Sequence, residues 1–351
     1  MVARLYDKCK DAPWRVSTID EMNVLLVGET TPGQLAWLCA RGFKQLGVAA
    51  NLFEAYPFDK QRQSRFPLFA IAANKLQRAW ANSGLLYTAS RLKPDLILIL
   101  KGEEITPATL IRLKQKVKIV NWNPDNPLNA LNSTPDLIKA IPFYDHCYIW
   151  GKFLLPELKR LGAQRASYLP FAYDPELHQP RNLSNEERKQ LASDLVFAGT
   201  YEPQRVEALN HSTDFDLAIW GNHWNRLPSD HPLRKFWRGD AHGVALSRVY
   251  SSSRIALNFI REQNGSAHNM RTFEAPACGV MLLTTRTQEQ VELFGEDDGA
   301  AFFFSHDELR DKARYYLAHE EQRQLVAQRG REKISRGHTY ADRMKQILSD
   351  L

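Results

Sequence analysis

Short apolar runs along the chain alternate with longer stretches whose apolar positions recur every three or four residues, the pattern of parallel strands joined by crossover helices. Asn23 to Val27 reads as a strand, followed by a glycine-containing loop and a helix over Leu35 to Leu46. Ala49 to Glu54 is a second strand, Pro67 to Leu92 a long helix, Asp95 to Leu100 an aliphatic strand, Pro107 to Lys116 a helix and Lys118 to Trp122 a strand. Phe143 to Ile149 and Ser167 to Phe171 extend the series around a helix over Lys152 to Leu161. The repeated alternation implies a parallel sheet, and the right-handed crossover rule makes it a doubly wound, Rossmann-like α/β domain.

A second series follows. Asp194 to Ala198 and Phe215 to Trp220 read as strands around a helix carrying Arg205, and a polar loop over 222–241 leads to a helix through Tyr250 and a strand over Ile255 to Phe259. Asn264, Gly265 and Ser266 form a turn, Asn269 to Cys278 a helix that Gly279 ends by tolerating positive φ, and Val280 to Leu283 a buried strand. Ser305 and Glu308 have capping-box spacing before a helix to Leu317, and the closing helix from Thr339 carries Tyr340, Met344, Ile347, Leu348 and Leu351 on one stripe. A chain of 351 residues exceeds the size at which single cores stop growing, so two domains are expected. The expected divisions are an extension over 1–21, a first domain over 22–172, a polar linker over 173–191, a second domain over 192–337 and a closing helix over 338–351.

Composition narrows the partners. A net charge of +6 spread along the chain, with no basic block, argues against nucleic acid. Cys9, Cys39, Cys147 and Cys278 lack ligand spacing, so reduced thiols, a cytoplasmic setting and no structural zinc are expected. The N-terminal charges do not fit a signal peptide, and the longest aliphatic run, Leu96 to Leu100, is too short to span a bilayer; peripheral membrane contact stays open. Asp214 and Asp216 lead into a strand instead of closing one, so no metal site is expected there. The glycines at 28 and 33 lack the Lys-Ser/Thr of a P-loop.

The candidate chemistry gathers at strand ends. Ser266, His268, Asn269 and Arg271 stand where a helix N-terminus would offer an anion its free N–H groups, and Glu274, one turn on, suits the two hydroxyls of a ribose. A plain packed helix with an Arg271–Glu274 surface pair fits the same residues. Gly199, Thr200 and Arg205 form a glycine turn and guanidinium suited to phosphate. Gly28, Glu29 and Thr30 lie at the end of the first strand. In Trp122 to Pro127, two prolines hold the backbone around Asp125, placing that carboxylate over a crevice or capping the next segment. His146, inside a strand, reads as a satisfied core histidine.

Asn269, Arg271, Phe273, Glu274, Ala277, Gly279 and Leu283, continued by Ser305, Glu308, Leu309 and the closing His338, Thr339, Tyr340 and Arg343, resemble the spore maturation protein CgeB family. That resemblance covers about residues 193 to 351 and implies a nucleotide-sugar glycosyltransferase of the GT-B fold. Such a fold has two Rossmann-like domains facing across a cleft, with a C-terminal helix crossing back to the first. It implies Glu274 at the ribose, Gly243 and Val244 at the base, and His268, Asn269, Arg271, Gly199, Thr200 and Arg205 toward the diphosphate of a UDP-, GDP- or dTDP-linked sugar, a substrate and not a cofactor. Related retaining enzymes carry a second glutamate eight residues before the ribose-binding one; here that position is Ser266, so retention and inversion both stay open. An inverting reaction needs a base, for which Asp125 and Glu29 are candidates, with Gly28, Thr30, Trp122 and Asn126 on the acceptor side. The acceptor is a glycan, lipid-linked, protein or small-molecule hydroxyl. Competing readings are a non-catalytic sugar-nucleotide-binding protein and a sugar-nucleotide epimerase.

Overall fold

The computed structural model describes residues 22–57, 67–130 and 132–351; the expected N-terminal extension lies outside the described residues. The chain divides into two compact units, Met1–Pro170 with Tyr340–Leu351, and Phe171–Thr339.

The first unit runs β1 (Asn23–Gly28), α1 (Leu35–Gln45), β2 (Ala49–Glu54), α2 (Pro67–Leu92), β3 (Leu96–Leu100), α3 (Pro107–Lys114), β4 (Lys118–Asn123), α4 (Pro135–Ala140), β5 (His146–Ile149), α5 (Leu155–Arg160) and β6 (Ala166–Tyr168). Its strands are parallel in the order β2-β1-β3-β4-β5-β6, with Leu26 opposite both Leu52 and Leu98. Every residue of β3 is buried, because helices cover both faces of a parallel sheet, which is why the strand reads as an unbroken apolar run. His146 is a core histidine as expected, 2.8 Å from the Ser167 hydroxyl and stacked on Tyr148.

The second unit runs α6 (Asn185–Leu191), β7 (Ser193–Ala198), α7 (Pro203–Asn210), β8 (Leu217–Trp220), α8 (Gly243–Ser252), β9 (Ser253–Asn258), α9 (Arg271–Ala277), β10 (Met281–Thr285), α10 (Gln288–Phe294), β11 (Ala301–Phe303), α11 (His306–Ala318) and α12 (Glu320–Ser335). Its parallel order is β11-β10-β9-β7-β8. In each sheet the strand order reverses beside the first strand, between β1 and β3 and between β7 and β9, and the carboxyl ends there open a crevice suited to ligands.

Several elements differ from expectation. Residues 185–191, expected within a polar linker, form α6 because Ser184 and Glu187 make a reciprocal capping box. The sequence reading also passed over α12, whose buried stripe of Arg323, Val326, Ala327, Gly330 and Ile334 is disguised by an arginine and a glycine. At α11, Ser305 caps the Glu308 amide, while the Glu308 carboxylate accepts from Phe304.

The closing helix, α13 (Tyr340–Ser349), belongs to the first unit. It buries Tyr340, Met344, Ile347 and Leu348 there, with Tyr340 tilted against Trp122. Its first turn presses on α1 at Gly42, where an added Cβ would stand 2.7 Å from the Tyr340 carbonyl carbon. Gly42→Ala is expected to cost about 1–3 kcal/mol, the usual range for overpacking a close contact. Urea denaturation should show a lower midpoint with the slope unchanged; an unaltered midpoint would mean that α13 can shift at no cost.

Candidate active site

In the second unit, the turns after β7 and β8 meet at two glycines, Gly199 and Gly221. Gly199 accepts from the Trp224 indole at 2.8 Å, and Gly221, at φ +136°, approaches so closely that a Cβ would lie 2.2 Å from the Gly199 carbonyl oxygen. At Gly221, only glycine meets both the positive φ and the close approach. Beyond the turn, Arg205 donates to the Thr200 carbonyl at 2.6 Å, stands 3.4 Å from Glu202 and lies over the Phe197 ring. Burial pulls its pKa down to about 10, still far above neutrality.

Arg261, in the loop after β9, grips the same Glu202 with two nitrogens. Arg271 donates through Nε to the Ala198 carbonyl at 3.0 Å and pairs with Glu274. Three guanidiniums thus gather over two carboxylates at the carboxyl ends of β7 and β9. Sequence reasoning identified Arg205 and Arg271 but missed Arg261, whose loop carries no motif. Its position just past a strand beside the order reversal was the available signal.

Glu274 is 2% exposed, so its pairing with Arg271 is a buried one and not a surface pair. Its other oxygen lies 3.7 Å from Nε2 of His178. Burial opposes the charge, yet Arg271 and His178 outweigh it and hold the carboxyl below the ordinary carboxylate range. His178 is itself buried, which lowers its pKa, and its Nδ1 accepts the Asp174 amide at 3.1 Å.

The expected anion seat at the start of α9 is not built as read. The helix begins at Arg271, and the amides of Thr272, Phe273 and Glu274 already donate to the carbonyls of Asn269 and Met270. Asn269 turns inward to donate to Asn258 at 2.8 Å, joining Thr272, Thr284 and Gln290 in a buried polar network. His268 is in the core. Its Nε2 accepts the Phe171 amide at 3.2 Å, its Nδ1 stands 3.4 Å from Glu289, and its ring meets Phe171 and Phe273 edge-on. Buried polar groups need partners, and these two residues serve that need. Gly243 opens α8 at φ +50°, with Val244 exposed beside it.

In the first unit, a cavity of about 210 Å³ at the carboxyl ends of β1, β3 and β4 is lined by both Glu29 and Asp125, with Tyr56, Lys101 and Glu103. Asp125 does not cap the following segment: its carboxylate meets Lys101 at 3.2 Å. Burial opposes the charge on Lys101, but Asp125 and Glu103 more than offset it and raise its pKa. The other residues expected on this side have structural roles. Trp122 is fully buried, Gly28 makes room for Leu100 and Ala36, Thr30 gives its amide and hydroxyl to Glu54 at 2.8 and 2.7 Å, and Asn126 accepts the Leu128 amide. Asp214 pairs with Arg310 and Arg314 and Asp216 with Arg238; among the described residues no group of three His, Cys, Asp or Glu side chains is placed to hold a metal ion. Nor is any described helix long and apolar enough to cross a membrane.

Glu274→Ala should lower stability by about 3 kcal/mol, the lower end of the range for stripping one partner from a buried pair, since Arg271 keeps 24% exposure. An effect within a few tenths of a kcal/mol in denaturant titration would show that the pair is dispensable. Acidification should act on the same cluster. His178 and Glu274 both have lowered pKa values, so the folded state binds fewer protons than the unfolded chain, and stability falls as pH drops below about 6.5 for the histidine and about 4.5 for the carboxylate. His178→Asn, which can still accept the Asp174 amide, should flatten the decline between pH 7 and 5, and an equal slope would remove His178 from this account.

Residues 203–349 match a family model described as glycosyl transferase-like. A search of curated proteins found no match. Among solved structures, sucrose-phosphate synthase from Thermosynechococcus elongatus aligns at a TM-score of 0.67 and 11% identity, covering 93% of this chain and 97% of that one. Anabaena HepE in complex with UDP and glucose aligns at 0.63 and 12%, covering 94% and 100%. A glycosyltransferase from Rickettsia africae aligns at 0.60 and 13%, covering 93% and 97%. The structural likenesses show the GT-B fold, two parallel-sheet Rossmann-like domains, and the domain match supports glycosyltransferase activity.

Proposed function

We propose that the protein transfers a sugar from a nucleoside diphosphate-sugar to an acceptor hydroxyl, with arginines in place of a metal ion at the leaving diphosphate. The observation that carries this reading is the meeting of Arg205, Arg261 and Arg271 where the second sheet reverses its strand order. As the bond to the sugar breaks, negative charge grows on the diphosphate, and fixed guanidiniums stabilise it without reorganisation. Glu274, kept ionised by Arg271 and His178, is the ribose acceptor at neutral pH. On donor binding, before the bond to the sugar breaks, Arg271 exchanges one anion for another, passing from the carboxylate to the diphosphate as the ribose hydroxyls replace it. Gly243 and Val244 lie along the base.

The 210 Å³ cavity bearing Glu29 and Asp125 is smaller than the usual range for whole-ligand pockets, so it takes only the reacting end of the acceptor, with either carboxylate as base if the reaction inverts. The likeness to the CgeB family favours this general class without naming the sugar. HepE, solved with UDP and with UDP-glucose, makes UDP-sugars the first donors to try.

A thermal-shift panel of UDP, GDP, dTDP and their sugars, with and without magnesium, tests the reading, since a ligand of the native state raises its melting temperature. One diphosphate should raise it without magnesium. Arg261→Ala and Glu274→Gln should each weaken that binding at least tenfold, about 1.4 kcal/mol. A folded protein that no nucleotide stabilises would overturn the assignment.

A further inference from the structure

At the other end of the first sheet, by the amino ends of β3 and β4, lies a cavity of about 530 Å³. It falls within the range of small-molecule sites, and the donor and acceptor chemistry above makes no use of it. Its apolar lining comes from Leu86 on α2, Leu113 on α3 and Val117 in the turn that follows. Lys93, Arg112 and Lys116 line the same space and are exposed.

The charge there is one-sided. Lys93, Arg112 and Lys116 have no hydrogen bond or ion pair from their side chains among the described residues. Pairing is available close by, since Lys114 and Lys118 reach Asp145 at 3.5 and 3.9 Å. The one carboxylate in the lining, Asp95, accepts the Asn23 amide at 2.8 Å and so is held on the backbone. Lys93 stands at φ +46°, an uncommon conformation for a residue with a side chain, which turns the chain sharply between α2 and β3. An apolar floor alone would suit any hydrophobic molecule, and three cations alone would suit any anion. Together they select a molecule with both parts.

We propose that this cavity binds a single-chain amphipathic anion, an alkyl carboxylate or alkyl phosphate, whose chain lies on Leu86, Leu113 and Val117 and whose head sits among Lys93, Arg112 and Lys116. The site is separate from the sugar-transfer reading and stands or falls without it.

The test is titration of the full chain with cis-parinaric acid, a fluorescent fatty acid, below its micellar concentration. Saturable one-to-one enhancement is expected, displaced by palmitate and at least tenfold less well by hexadecanol, which has the chain without the charge. The double change R112E and K116E, at exposed positions, should weaken binding at least tenfold. Ser90→Trp, filling the cavity from the exposed Ser90 on α2, should abolish it, with melting temperature as the control for folding. No saturable binding, or equal binding by the double variant, would overturn the site. Adsorption to anionic vesicles without uptake of the monomeric fatty acid would also overturn it, in favour of a membrane-facing surface.

Discussion

The second unit's ligand end depends on one guanidinium. Arg271 holds the carbonyl at the end of β7 through Nε and the buried carboxylate of Glu274 through a terminal nitrogen. It therefore fixes α9 against the strand beside which the sheet order reverses. Without it, a strand-end carbonyl and a buried carboxylate would both lose a donor, each at the cost that attends an unmade buried interaction. The same side chain, with His178, keeps Glu274 ionised, so one residue serves both position and charge state.

Beneath α9 the polar network of Asn258, Asn269, Thr272, Thr284 and Gln290 adds a second constraint. Asn258 closes β9 and Thr284 lies in β10, so amides and hydroxyls register the helix on two adjacent strands where apolar packing would permit sliding. A fully satisfied buried network specifies one arrangement, which is what a site of several converging arginines requires.

Much of the fold was legible because a parallel sheet buried on both faces writes itself as apolar runs, as in β3 and β10, and because α2 was bounded correctly by its flanking proline and polar turn. Short or disguised elements were not. β11 has three residues, and α12 buries an arginine that pattern counting treats as solvent-facing. At the site, the sequence reading put Arg205, Arg271 and Glu274 on helices that follow strands, which is where they lie, but could not tell which polar side chains turn inward. Asn269, His268 and Trp122 were taken for ligand-facing residues, whereas the burial of His268 and Trp122 and the inward bond of half-buried Asn269 depend on other elements, through Glu289, Tyr340 and Asn258. Arg261 was passed over for the same reason: its role comes from Glu202, 59 positions away.

The membership of α13 in the first unit has a consequence for how the protein is made. The second unit is one continuous stretch, Phe171–Thr339, whereas the first needs Tyr340–Leu351 to complete the surface of α1 around Gly42. During synthesis, domains tend to fold in the order they emerge, but here the unit translated first finishes last. Its apolar seat for Tyr340, Met344 and Ile347 stays uncovered while some 170 further residues leave the ribosome. Premature termination near residue 340 would therefore damage the earlier-made half of the molecule, leaving the half beside the break whole.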